Sequence, residues 1–379
     1  MAKINRQLRA EGKDVIDLSI GEPDFETPEF ICEAGKKAID DGYTKYPPVS
    51  GFADLREAIS KKFLRENNLH FNASQIVVSN GAKQSLNNIF LSILDEGDEV
   101  ILPAPYWVSY PAMVTLAGGS IVTIASSVES NFKITPAQLE AAITPKTKAF
   151  CFSSPCNPSG TVYSRDELKS LTEIFAGHPR IVVISDEIYE HINFRGRHES
   201  IAQFEELNNR VAVVNGCSKA FAMTGWRIGY AGLPLEIAQA SDKIQGQFTS
   251  GANSMAQRAA LVSLNGDLTE TFKMVAAYKR RRELITDLMK NTPGIKLNHP
   301  EGAFYFFPDI HFYFGKKNGD SVITNSTDFC TYLLYHAYVS TLSGKAFGND
   351  DCIRISYATS EEKIREAIRR IEEALQHLK

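Results

Sequence analysis

The stretch IVVSNGAKQSLNNIFLSI, residues 76–93, changes its apolar period halfway along. Ile76, Val77 and Val78 form a short β-branched run, which reads as a strand. Beyond Ser79-Asn80-Gly81 the apolar residues fall at Leu86, Ile89, Phe90 and Ile93, one face of a helix. The alternation repeats along the chain. Val100-Ile101-Leu102, Ala149-Phe150-Cys151-Phe152, Ile181-Val182-Val183-Ile184 and Val211-Ala212-Val213-Val214 read as further strands. Helix starts are marked by Thr135-Pro136 with Gln138, and by Ser164 with Glu167 ahead of the stripe Leu168, Leu171, Phe175. Continuous apolar strands separated by helices predict an α/β fold around a large, mostly parallel sheet covered on both faces.

This pattern carries the large domain, expected over 31–268. A helical pattern follows at 268–290, then the apolar runs Ala303–Phe307 and Cys352–Ser356. A closing helix, capped by Thr359 and Glu362, carries Ile364, Ala367, Ile368, Ile371 and Leu375 on one face. Residues 1–30 with 269–379 are expected to form a smaller α+β domain. A chain of 379 residues exceeds the size at which one core keeps growing, which agrees with two domains.

The composition narrows the function. Lys+Arg number 41 against 45 Asp+Glu, a net charge of −4, so no whole-protein basic field is available for nucleic acid or an acidic membrane. The basic run Lys279–Arg282 falls in a helical pattern and is expected on a solvated face. No run of about 18 apolar residues offers a membrane span, and the charged N-terminus does not read as a secretory signal. Six scattered cysteines, none in a C-x-x-C pair, suit free thiols in a reducing cytoplasm.

Ligands of open α/β sheets bind just beyond the carboxyl ends of the strands. Those ends here deliver Gly81-Ala82-Lys83, Tyr106-Trp107, Asn157, Asp186 with Tyr189, and Ser218-Lys219. No P-loop, G-x-G-x-x-G, H-E-x-x-H or G-x-S-x-G pattern is present, and the eight histidines lack metal-ligand spacing, so no metal is expected. What remains is Lys219 within GCSKAFAMTGWRIGY, residues 216–230. A lysine in such a small-residue, aromatic turn loses solvation, which frees its amine for imine chemistry. Arg227, in the same apolar setting, is expected to be buried on an anion whose shape suits its planar fork. Asp186 and Glu187 admit a plainer use, capping a helix with an acidic first turn.

That motif resembles the pyridoxal-phosphate attachment site of class I aminotransferases, the aspartate aminotransferase family of fold type I. LSIGEPDF (18–25), YTKYPPVSGFADLREAI (43–59), VVSNGAKQS (77–85), PAPYWVSYPAMV (103–114), SSPCNPSG (153–160), SDEIYE (185–190) and IRISYATS (353–360) follow in family order. The resemblance implies that Lys219 forms the Schiff base with pyridoxal 5'-phosphate and serves as general base and acid. It implies that Asp186 pairs with the pyridine nitrogen, and that Tyr189 and Asn157 bond the 3-oxygen. Gly81, Ala82, Lys83, Ser218 and Arg227 would form the phosphate cup. Trp107 would stack on the ring, beside the substrate. Arg354 would grip the substrate α-carboxylate near Gly21. Tyr46 would reach the phosphate of a neighbouring subunit, making the enzyme a homodimer. The expected reaction is ping-pong transfer from an L-amino acid, first aspartate, to 2-oxoglutarate.

For the side-chain carboxylate of aspartate the resemblance offers Lys83, which could equally decorate a helix start. Aromatic or prephenate substrates stay open, as does a C–S lyase on the same fold. A non-catalytic cofactor-binding module is disfavoured by the complete set of catalytic positions. Three departures from the family pattern stand out: a short arm ahead of Arg6, Cys156 in place of asparagine, and Ser343-Gly344-Lys345 in place of a Pro-Gly turn.

Overall fold

The structure, a computed structural model, describes residues 2–207 and 209–379, so Met1 of the expected small domain lies outside it. Seven strands make the main sheet: β1 (Ile76–Asn80), β2 (Glu99–Pro103), β3 (Ser120–Ile124), β4 (Thr147–Ser153), β5 (Val182–Asp186), β6 (Val211–Gly216) and β7 (Ile228–Gly232). Their order across the sheet is β1-β7-β6-β5-β4-β2-β3. The pairs β2–β3, β2–β4, β4–β5 and β5–β6 are parallel, whereas β7 runs antiparallel to both β6 and β1. The expected mostly parallel sheet is therefore present, with one strand reversed.

The apolar strand runs explain why the sheet is covered on both faces. Val78, Ile101, Phe150, Val183 and Val213 point into one buried cluster, and Val77, Val100, Leu102, Ile184 and Val214 into another. Each such side chain contributes about 1.5–3 kcal/mol on burial. The capping boxes at Thr135/Gln138 and Ser164/Glu167 form as read. The closing helix, Glu361–Leu375, is instead capped by Ser360, whose hydroxyl accepts from the Lys363 backbone N–H. Thr359 lies one residue too early for that geometry.

A third cluster joins Ile16 and Leu18 to the long helix Thr269–Met289, the run Ala303–Phe306 and the closing helix. Here β8 (Tyr305–Phe306), β9 (Leu342–Ser343) and β10 (Ile353–Ser356) form an antiparallel sheet in the order β9-β10-β8. Tyr189 and Ile192, from the loop after β5, also enter this cluster, so the two parts of the chain meet at that loop.

The basic run is not a solvated face throughout. Arg281 and Arg282 are buried. Arg281 pairs with Asp24 at 2.7 Å, and Arg282 Nη1 donates to the Pro300 carbonyl at 3.0 Å. Arg281 thus faces the N-terminal segment and Arg282 the loop at Pro300, rather than solvent. No helix among the described residues is long and apolar enough to cross a membrane.

Candidate active site

The carboxyl ends of the parallel strands open onto a cavity of about 470 Å³. Its walls include Gly21, Ala82, Lys83, Trp107, Asn157, Asp186, Tyr189, Ser218, Lys219, Arg227 and Arg354. Eleven positions singled out from sequence thus meet in one space. Gly81 lies just behind it, as the cap of the helix Ala82–Ile93. Tyr46 lies elsewhere, 94% exposed in a shallow depression beside Tyr43 and Ser254.

The reversed strand β7 builds the phosphate-sized corner. Its first residues, not its last, reach this edge, and Asn80 pairs with Ile228. Arg227 is thereby set against Gly81, where a Cβ would stand 2.2 Å from its Nη2. Gly81 also has φ +81°, a conformation glycine adopts without strain. A Cβ at Gly229 would stand 2.1 Å from the Ala82 nitrogen, so only glycine lets β7 abut that turn. The first-turn N–H groups of Ala82 and Lys83 have no helical carbonyl to reach and suit an anion. Arg227 itself is exposed, contrary to the buried setting its neighbours suggested. Its φ of +58° turns it out of the apolar run, and it donates to the Thr224 and Asn80 carbonyls at 2.9 and 3.3 Å.

Lys219 sits on the short helix Cys217–Ala220 that follows β6. Its Nζ donates to the Gly21 carbonyl at 2.7 Å and lies 5.7 Å from the centre of the Tyr189 ring. Burial lowers its pKa to about 8, and Arg354 and Arg227 push the same way against Glu22. The amine is thus far easier to deprotonate than a surface lysine.

Asp186 ends β5 with its carboxylate buried. No helix starts there, which removes the capping alternative; its Oδ1 only accepts from the Ile188 N–H at 3.3 Å. Its Oδ2 accepts from the Tyr110 hydroxyl at 2.7 Å. Burial raises its pKa to about 6, and the bonds from Tyr110 and Ile188 and the charge of Lys219 offset this only in part. The sequence reading missed Tyr110, three residues beyond Trp107, whose ring it meets edge-on at 5.5 Å. That i, i+3 spacing was the available signal.

Arg354 on β10 is buried rather than an exposed cross-strand charge. Its Nη1 donates to Asn157 Oδ1 at 2.9 Å and its Nη2 to the Ser19 carbonyl at 2.6 Å. Its Nε is buried without an acceptor, as is the hydroxyl of Ser153 at the end of β4. Lys83 Nζ lies 5.0 Å from the Trp107 ring and makes no ion pair among the described residues. These features fit pyridoxal phosphate. A buried carboxylate suits a cationic ring nitrogen, a glycine-lined corner suits a phosphate, and a lysine amine of lowered pKa lines the same cavity.

A buried charge network lies behind the Asp186–Tyr189 turn. Lys62, wholly buried, pairs with Glu190 and stands 3.6 Å from Glu66. Asn67 Nδ2 donates to Glu190 Oε2 at 2.9 Å. Glu187 accepts from Ser185 and Ser200 at 2.8 and 2.6 Å and meets His198 at 2.9 Å. The carboxylates and histidines here are close enough to hold a metal, but the Lys62 ammonium already supplies the positive charge. Burial alone would raise the Glu190 pKa; Lys62, His191 and His198 outweigh it and hold it well below the usual range. Its stabilising contribution is therefore present above pH ~4 and lost only as the pH falls through that depressed value. Lys62→Met is expected to cost about 3–5 kcal/mol by removing the buried ammonium that pairs with Glu190. Urea unfolding measures this, and a loss below about 1 kcal/mol would contradict the pairing.

The sequence matches the family described as aminotransferase class I and II over residues 13–371. It is 48% identical to the aspartate/prephenate aminotransferase of Cereibacter sphaeroides over 97% of this chain and 92% of that one. The structure resembles that of the Rhizobium meliloti aspartate aminotransferase, with TM-score 0.97 and 43% identity over 100% of this chain and 95% of the other. The Thermus thermophilus aspartate aminotransferase with maleate aligns with TM-score 0.91 and 39% identity, covering 98% and 95%.

Proposed function

Because the chain belongs to the class I and II aminotransferases, we propose that it moves the amino group of aspartate to 2-oxoglutarate, using pyridoxal phosphate held through Lys219. The observation that carries the substrate reading is the pair of cations left over in the cavity. Arg354 keeps an unpaired buried Nε, and Lys83 has no anionic partner among the described residues. Two cations suit a substrate with two carboxylates. The relatives named for aspartate, and the Thermus enzyme bound to maleate, a dicarboxylate, support this choice. Prephenate, in the name of the Cereibacter relative, also carries two carboxylates and is the second acceptor to test.

The bound cofactor supplies the electron sink that lets the α-proton leave. The protein does the rest. Asp186 would keep the ring nitrogen protonated, Trp107 would cover the ring, and Tyr189 with Asn157 would bond the 3-oxygen. Gly81, the Ala82 and Lys83 N–H groups, Ser218 and Arg227 would hold the phosphate. Arg354, beside Gly21, aligns the substrate α-carboxylate. Lys219 Nζ, once free, takes the proton from the substrate Cα.

Tyr46 is assigned to the phosphate of a second copy, since it stands away from its own cavity. Exposed Phe248 and Leu116 border the groove that also holds Lys83 and Arg227, which supports a homodimer closing over this corner. The separate apolar cores support a large domain over 31–268 and a small one from 1–30 with 269–379. Six unpaired thiols support a reducing, cytoplasmic setting.

Incubating the holoenzyme with aspartate and 2-oxoglutarate should yield oxaloacetate and glutamate. Pyruvate and ammonia from a cysteine thioether, with no such exchange, would contradict the assignment and favour the lyase. Lys83→Ala is expected to lower kcat/KM for aspartate about 10- to 100-fold, the value of one charge-assisted hydrogen bond. Alanine as donor should lose less than about threefold. Steady-state kinetics with both donors checks this; equal losses would place Lys83 outside side-chain recognition.

A further inference from the structure

Tyr305 was not among the sequence candidates, yet it touches three functional groups from a position wholly shielded from solvent. Its hydroxyl lies 2.7 Å from the Tyr189 hydroxyl. It packs against Gly21, where an added Cβ would stand 3.0 Å from it, and the Gly21 carbonyl is the acceptor for Lys219. Its ring lies under the Arg354 guanidinium, 4.5 Å from ring centre to charge. Tyr305 and Tyr189 come from different parts of the fold, β8 and the loop after β5, and meet only here.

Either hydroxyl could donate across this pair, and proton counting says what each direction leaves available. Each phenol owns one proton, and only one of the two can donate across the pair. Among the described residues neither hydroxyl has another partner. If Tyr189 donated to Tyr305, its only proton would be used up and it could offer the cofactor nothing but a lone pair. If Tyr305 donates, the Tyr189 proton is free to point at the 3-oxygen. A chain of two donors in series also strengthens the second bond. The Arg354 charge over the Tyr305 ring favours electron density moving toward that ring, which makes its O–H the better donor.

We propose that Tyr305 is a positioning residue for transamination: its hydroxyl donates to Tyr189 and thereby aims the Tyr189 proton at the cofactor's 3-oxygen. This rests on the assignment of pyridoxal phosphate to Lys219. Donation to the 3-oxygen favours its negative charge most when the imine nitrogen at Lys219 has lost its own proton. Tyr305 therefore lowers the pH at which that nitrogen titrates.

The test is a pH titration of the visible absorption of the holoenzyme, in the parent, Tyr305→Phe, Tyr189→Phe and the double variant. Phenylalanine keeps the ring under Arg354 and removes only the hydroxyl. Tyr305→Phe is expected to raise the midpoint by roughly 0.5–1 pH unit, the equivalent of one neutral hydrogen bond. In the double variant the midpoint should match that of Tyr189→Phe alone, because Tyr305 acts through Tyr189. kcat should fall while KM for the amino donor holds within about twofold, since Arg354 keeps its grip. An unchanged midpoint in Tyr305→Phe, or shifts that add in the double variant, would overturn the proposal while leaving the cofactor assignment standing. A parent protein with no pH-dependent visible band would instead overturn the cofactor assignment, and the proposal with it.

Discussion

Lys219→Ala is expected to lower kcat by about four orders of magnitude or more. General acid–base catalysis alone contributes about 10²–10⁴, and the substitution also removes the covalent tether. The structure explains why no neighbour substitutes. Lys219 is the amine whose pKa burial brings down to about 8, whereas Lys83 is exposed and lies over the Trp107 ring. The fold should survive, because Lys219 makes one hydrogen bond, to the Gly21 carbonyl. Single-turnover kinetics, with the thermal midpoint as a control for folding, checks the prediction. A folded variant within about tenfold of the parent would contradict the assigned role.

Asp186→Asn is the second large effect. It preserves the shape and the contact to the Tyr110 hydroxyl and removes only the negative charge. Without that charge the ring nitrogen loses the partner that keeps it protonated, and kcat should fall about 10²–10³-fold. Stability should respond with the opposite sign. Burial raises the carboxyl to about 6 from 3.8, so the folded state binds the proton more tightly than the unfolded one. The stability this provides is fully present below pH ~4 and is lost as the pH rises through ~6, by about 3 kcal/mol in all for protein stripped of cofactor. The cofactor-free asparagine variant should lack that part of the pH dependence. Urea titrations at pH 4 and 7 on stripped protein measure it; equal pH sensitivity in parent and variant would place the Asp186 charge outside the buried site.

The residues legible in the sequence were those whose position follows from local pattern. Asp186 ends one apolar strand and Lys219 sits on the short helix just after another, so the strand ends deliver them to the cavity. The strand β7 escaped notice because Gly229 and Gly232 interrupt its apolar run, and the reason for those glycines is tertiary: Ala82 and Phe71 press against them. The direction of that strand could not be read from composition, and it decides where Arg227 goes. Tyr110 and Tyr305 look like ordinary core aromatics, one on a helix face and one inside AFYFF. Only packing across the fold shows that their hydroxyls end on Asp186 and Tyr189. Lys62 shows the same limit: a lysine in a charged helix reads as solvated, yet its partner lies 128 residues away.

The most direct measurement is to reduce the holoenzyme with borohydride, digest it and locate the cofactor by mass spectrometry. The predicted result is one modified peptide per chain, carrying the reduced pyridoxyl phosphate on Lys219. A label on Lys83 or any other lysine, or no label on protein that retains transaminase activity, would contradict the account.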